Sequence, residues 1–249
     1  MAIAKKLCLD NYGKPICFER LPLHPSAKKP KISIAINALG LIKVRAPSHI
    51  QDHQIIAAVN KHQNWIVQQL KKIHDRKACY PLPVYEHEAK HFFLGQLYPL
   101  NIQENPNKKQ QISLQSCQIQ ITIRVNRPES IAALLNSWYR FAAIKNFSAR
   151  LYAFQEKTPW VNWLEKPPQL HIRKMKSRWG SCSNRGVITL NQHLIKASQE
   201  CIDYVILHEL CHLTEANHGP GFYKLLSQVF PDWKRVQSLL KQQGFALLI

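Results

Sequence analysis

Two histidines four residues apart, with a glutamate directly after the first, can hold a metal ion and manage a proton beside it. The segment from Cys201 to Thr214 reads CIDYVILHELCHLT and carries this pattern at His208, Glu209 and His212. On a helix, residues four apart lie one above the other on one face. Two imidazole nitrogens can then reach one ion at about 2.0–2.1 Å, the ordinary zinc–nitrogen distance. Glu209 falls next to that face, where it takes a proton from water at the metal rather than binding the ion. The expected cofactor is Zn2+.

The pattern occurs twice, so spacing alone decides nothing. His87, Glu88, Ala89, Lys90 and His91 form a second copy. It follows Pro81 and Pro83, runs straight into the strand-like Phe92-Phe93-Leu94-Gly95, and would bring the Lys90 cation towards any ion. It also lacks an apolar helix to hold it, and reads as a chance match. The copy at 208–212 has the required setting. Ile202, Val205, Ile206, Leu207, Leu210 and Leu213 make its helix apolar on most sides, which predicts burial. Two histidines and a glutamate are costly to bury unless they are paired or metal-bound.

A catalytic zinc takes three protein ligands and leaves a fourth position for water. His218 lies six residues past His212, an offset that lets the chain leave the helix, turn and return an imidazole to the ion. Glu215 occupies the place where a turn glycine would help, and Asn217, tolerant of left-handed φ, is expected to make the turn instead. The rival third ligand is Asp232, the only acid after Glu215. The short offset of His218 costs less loop entropy and favours it. Cys182 reads as packing, since a fourth protein ligand would close the water position.

These side chains need elements to position them. Ile32, Ile34 and Ile36 alternate with smaller or polar neighbours, and Ile42 and Val44 resume the alternation after a turn at residues 37–40, which reads as a hairpin. Ile55, Ile56, Val59, Ile66, Leu70 and Ile73 predict one long amphipathic helix from Ser48 to about Asp75. A strand is expected at His91 to Leu100 and a pair over Gln111 to Val125. Pro128 and Glu129 suit the first turn of a helix reaching about Glu156. Leu170 to Leu190 reads as two strands joined through Ser183 to Gly186, followed by the helix with the metal motif. A Gly-Pro-Gly turn at 219–221 leads to a final helix or helix pair interrupted at Pro231. The class is α+β: a β-rich N-terminal region, residues 1–126, and a C-terminal domain, residues 127–249, with the metal motif on a buried helix.

Composition narrows the setting. The 249 residues are 45% hydrophobic, without a continuous apolar run of membrane-spanning length. The opening residues lack the apolar stretch of a signal peptide. Seven scattered cysteines without a CxxC pair suggest reduced thiols and a cytoplasmic location. The formal charge of +19 favours polyanionic partners, nucleic acid among them, although no polybasic tract stands out. No membrane partner is expected.

Several motifs together resemble the YgjP-like metallopeptidase-domain family, zincin-fold relatives of the SprT and WLM groups. They are Arg178-Trp179-Gly180-Ser181-Cys182, Leu190-Asn191 at the end of the next strand, HELCHLTEANHGPGFY at 208–223, and Pro231-Asp232. Leu94-Gly95-Gln96-Leu97-Tyr98 is the best landmark in the first half. The resemblance implies zinc on His208, His212 and His218, Glu209 as general base, and a zincin-like α+β domain whose strand before the active helix borders the site.

Lys174, Lys176 and Arg178 alternate and are expected to share one face of a strand. Arg178 could bind an anionic substrate or stabilise an oxyanion, a role for which His193 and Tyr223 are further candidates. An edge strand near Leu190 and Asn191 could align a peptide. The leading expectation is a zinc-dependent hydrolase acting on peptides. Two alternatives stay open: the same site hydrolysing a nucleotide or another anionic phosphate compound, and a nucleic-acid-associated protein in which zinc is structural.

Overall fold

The computed structural model describes residues 5–9, 15–22, 32–36, 40–79, 83–156, 158, 160–161, 167–175 and 178–247, except for the side chains of 5–15, 76–79 and 245–246. The chain divides into two compact units, Met1–Pro81 and Leu82–Ile249, so the boundary lies well before the expected 126/127. The reason is burial. Leu100, Ile119, Ile121 and Ile123 belong to the same core as the C-terminal helices, and a sheet cannot be cut from the core that its inner face fills.

The first unit is a four-stranded sheet with two helices. Its strands are β1 (Lys5–Leu9), β2 (Pro15–Pro22), β3 (Ser33–Ile36) and β4 (Ile42–Ala46), in the order β1-β2-β4-β3. The predicted hairpin is present, with Ile36 opposite Ile42 and Ile34 opposite Val44. Residues 37–39 of its turn lie outside the described residues. The single long helix is instead two, α1 (Asp52–Lys61) and α2 (Gln63–Cys79), broken at His62. Ile55, Val59 and Ile66 are all fully buried, so the apolar period runs through the break and conceals it in the sequence.

The second unit begins with a sheet of two hairpins. β5 (Lys90–Phe93) and β6 (Gln96–Glu104) form one, β7 (Gln111–Gln115) and β8 (Gln118–Ile123) the other, and β6 runs parallel to β8. The single strand expected at 91–100 is thus a hairpin, because Leu94 and Gly95 both have positive φ and turn the chain. α3 (Pro128–Gln155) starts on Pro128 as foreseen. It buries Ile131, Leu135, Tyr139, Ala143, Phe147 and Leu151, four residues apart, along one stripe.

A three-stranded sheet follows: β9 (Gln169–Arg173), β10 (Gly180–Cys182) and β11 (Val187–Asn191), in the order β10-β11-β9. β11 is therefore the central strand, not an edge, and Leu190 and Asn191 have neighbours on both sides. Residues 174–179 must cross from one edge of this sheet to the other. The expected strand through Lys174, Lys176 and Arg178 is for that reason a connection, of which 176–177 lie outside the described residues. A short 3-10 helix (Gln192–Lys196) leads into α4 (Gln199–Cys211), and α5 (Pro220–Val229) and α6 (Trp233–Leu247) close the unit. The fold is thus mixed α and β, with sheets first and most helices last.

α4 is held on every side. Ser198 caps its N-terminus by accepting a hydrogen bond from the Cys201 N–H. Arg150 on α3 makes a bidentate pair with Asp203 at 2.7 and 2.5 Å. The Trp160 indole donates to the Leu210 carbonyl at 3.3 Å. The β5–β6 turn hooks onto the preceding 3-10 helix: Leu94 and Gly95 donate to the carbonyls of Ile195 and Lys196 at 2.9 and 3.1 Å.

Gly95 has φ of +82°, and a Cβ on it would lie 2.8 Å from the Ser198 Cα. Both the conformation and the close approach exclude a side chain. Gly95→Ala is expected to cost about 2–4 kcal/mol, adding left-handed strain to overpacking. Gly186→Ala, at φ of +75° with nothing within 4 Å of the new methyl, should cost only about 1–2 kcal/mol. Urea denaturation of the two variants checks the ordering.

Candidate metal centre

His208 and His212 lie at the C-terminal end of α4, where the helix leaves them on one face, and His218 returns from the following turn. Their ligand atoms lie within 4.8 Å of one another. The Nε2 of His218 is 3.0 Å from that of His208 and 3.1 Å from that of His212. Three nitrogens about 2.0–2.1 Å from a tetrahedral ion would stand roughly 3.3–3.4 Å apart. Both His218 separations are therefore within a few tenths of an ångström of those in a zinc-binding arrangement. Asp232, the rival, is not part of the cluster. Neither is Cys182, whose thiol is pushed up to about 11 by burial and then by Glu209.

The nitrogens are set for this by their surroundings. The Nδ1 of His212 lies 2.9 Å from the Glu215 carbonyl, and only a protonated Nδ1 can donate there. That leaves the Nε2 lone pair pointing at the cluster, as in supported metal histidines. Burial, and then His212 and His218, depress His208 to about 3. His218 is lowered by burial and by His212. Phe222, fully buried on α5, floors the cluster with ring centroids 4.8, 4.6 and 4.7 Å from His208, His212 and His218.

The turn that returns His218 is built differently from the expectation. Asn217 is not left-handed. The Glu215 N–H donates to Cys211 and the Gly219 N–H to Asn217, at 2.9 and 2.8 Å. The Glu215 side chain fills the space at Gly221, where a Cβ would come within 2.6 Å of its Oε1.

Glu209 is only 5% exposed, and its Oε2 has no hydrogen-bond partner. Burial pushes its carboxyl up to about 7, against an opposing pull from the Arg178 guanidinium. Gly180 on β10 makes the room, since a Cβ there would meet Glu209 Oε1 at 2.5 Å. Arg178, Gly180, Tyr204, His208 and Glu209 share a cavity of about 360 Å3. Tyr204, whose hydroxyl accepts from Gln237 at 3.1 Å, was not marked out by any spacing. Its signal is a polar-tipped ring one turn before His208.

Other expected site residues stand elsewhere. Asn191 is fully buried. Its amide donates to the carbonyls of Met175 and Arg178, each at 2.8 Å, and its Oδ1 accepts from the N–H groups of Met175 and His193. A side chain so occupied has nothing left for a substrate; it positions the Arg178 segment. His193 lines a different cavity, together with Lys196. Tyr223 stacks on His218 and Trp233, at centroid distances of 6.3 and 4.9 Å. The other HExxH copy is not helical. Glu88 has a φ of +65°, and His91 is buried with its Nε2 2.8 Å from the Val84 carbonyl.

His218→Ala should weaken zinc binding by more than the roughly 10–100-fold that loss of a supporting hydrogen bond costs. Asp232→Ala should leave it unchanged. Zinc content after dialysis against a competing chelator decides between the two ligands.

Comparison with known proteins follows this geometry. No curated protein matches the chain. The crystal structure of the metallopeptidase zymogen of Pyrococcus abyssi abylysin has 22% identity and a TM-score of 0.35, covering 39% of this chain and 95% of that one. For the metallopeptidase zymogen of Methanocaldococcus jannaschii jannalysin the identity is 21% and the TM-score 0.35, with 39% and 96% covered. The family model described as YgjP-like, metallopeptidase domain, matches residues 30–243. With most of its length matched, the chain belongs to the YgjP-like metallopeptidase-domain family.

Proposed function

We propose that the protein is a zinc-dependent peptidase in which His208, His212 and His218 hold the metal and Glu209 is the general base. The observation that carries this reading is the convergence of three imidazole Nε2 atoms beside a buried, unpartnered carboxylate oxygen. Three histidines without a fourth protein ligand among the described residues favour an open position over a closed structural site. Zinc, when bound, supplies Lewis acidity that makes water a nucleophile near neutral pH and polarises the scissile carbonyl.

The chain's own groups do the rest. A carboxyl poised near pH 7 by burial can accept a proton at Oε2 and hand it to the leaving amine. Arg178 lines the same cavity and offers donors to charge developing on the carbonyl oxygen. β10 is an edge strand whose only partner among the described strands is β11, so its outer side can pair with an extended peptide. Gly180, on that strand, keeps the backbone close to Glu209.

Casein hydrolysis by the zinc-loaded full chain tests the reading. Glu209→Gln should lower kcat by roughly 10²–10⁴-fold, the usual contribution of a general base, with zinc still bound. Gly180→Ala should lower it as well, because the added methyl displaces the carboxylate. If wild type leaves casein intact but hydrolyses nucleoside triphosphates in a Glu209-dependent way, the substrate class is wrong. If neither activity responds to Glu209, the general base is wrong.

A further inference from the structure

The cavity beside the histidine cluster extends past the groups that the proposed hydrolysis uses. On α4, Tyr204 and His208 are four residues apart, as are Val205 and Glu209, so one side of the helix presents all four to the cavity. On α6, Gln237, Leu240 and Lys241 fall at three- and four-residue spacings and line it from a second helix. Val205 and Leu240 are buried and form its apolar part with the Trp179 ring. α6 packs closely on that ring: a Cβ on Gly244 would lie 3.4 Å from Trp179 Cζ2. A space walled by packed helices is present before any ligand arrives. Its volume of about 360 Å3 leaves room for a side chain next to the group being cleaved.

The polar groups of this space mostly donate. Arg178 and Lys241 are exposed cations in its lining. Tyr204 is buried, and its hydroxyl accepts from the Gln237 amide at 3.1 Å, which leaves the hydroxyl proton for another acceptor. Among the described residues, Glu209 is the one carboxylate in the lining, and its part is to take a proton from water. No carboxylate of a described residue pairs with Lys241. A ligand that packs on the apolar wall and meets these donors has to end in an acceptor, and a negatively charged one answers the cations best.

We propose that this cavity is a subsite that selects an acidic side chain in the peptide substrate, with Lys241 and Tyr204 as its specificity-determining residues. The inference rests on the peptidase reading above. The methylenes of a glutamate pack on Trp179 and Leu240, and its carboxylate accepts from the Tyr204 hydroxyl and the Lys241 ammonium. Arg178 serves the carbonyl oxygen and adds to the positive field. A lysine side chain in the same place meets like charge and is rejected. The formal charge of +19 then has a use, since it draws acidic peptides to the molecule before the subsite selects among them.

Internally quenched peptides of one length, carrying Glu, Gln or Lys at each position in turn, test this on the zinc-loaded full chain. Only cleavage that is lost in Glu209→Gln is counted. At one position relative to the cleaved bond, Glu should exceed Gln about ten-fold in kcat/KM, the usual worth of one charge-assisted hydrogen bond, and Lys should fall below both. Lys241→Gln and Tyr204→Phe should each lower the Glu/Gln ratio about three-fold, mainly as a higher KM for the glutamate peptide. Lys145→Gln, the same change of charge at an exposed position of α3 outside the cavity, should leave the ratio unchanged. Lys241 is exposed, so its variant remains informative if Tyr204→Phe fails to fold. Equal cleavage of the Glu and Gln peptides, a ratio that persists in either variant, or one that falls as far in Lys145→Gln overturns the subsite alone. No Glu209-dependent cleavage of any peptide overturns the peptidase reading and the subsite with it.

Discussion

The structure depends on burying a helix that is apolar nearly all round and yet carries ionisable groups at its C-terminal end. Cys201, Ile202, Ile206, Leu210 and Cys211 of α4 are fully enclosed. The other elements of the second unit are arranged to accomplish that enclosure. α3 is tied to it by Arg150 and Asp203, the connection after α3 by Trp160, and the β5–β6 turn by hydrogen bonds just ahead of its N-cap. An enclosed helix has few rotational alternatives, so His208 and His212 are fixed by the core rather than by each other. His218 then needs only a short turn to find them.

Burial also sets the chemistry. The same desolvation keeps His208 neutral and the Glu209 proton affinity high, because burial disfavours the charged form of each. The two groups face apart: the imidazoles meet each other over Phe222, while the carboxylate lies against the glycine of β10. Arg178 reaches this side from a connection with little regular structure. Asn191 ties both ends of this connection, by bonding to the backbone of Met175 and Arg178 at once. A polar residue at the end of a central strand thus governs a charge at the rim of the cavity.

Much of the site was legible because it is local. The spacing of His208, Glu209, His212 and His218 lies within one helix and one turn, and the alternation of Ile119, Ile121 and Ile123 or the four-residue stripe on α3 shows directly in the residue order. What could not be read depends on distant pairings. Strand order is one such property. Leu190 and Asn191 look like any strand end, and only the parallel pairing with β9 makes β11 central. The unit boundary is another, because Leu100 and Ile121 do not announce which helix covers them. His62 illustrates a third kind: the apolar period is the same on both sides of the break, so the pattern has no information about it. Gly180 and Phe222 shape the site through contacts with residues far away in sequence, and nothing in their neighbours reveals it.

Three glycines of the second unit owe their identity to a named partner. Gly95 faces Ser198, Gly180 faces Glu209, and Gly221 faces Glu215. Each pair joins a position where an added side chain would crowd its partner to one whose side chain or backbone caps the helix, bears the buried carboxylate, or holds the His212 ring. Substitution histories at these positions should consequently be coupled. A methyl group gained at one member becomes tolerable only after its partner has shortened or shifted, and the order of the two steps matters. Around this histidine cluster, the accessible evolutionary paths are narrowed less by the imidazoles than by the empty spaces beside them.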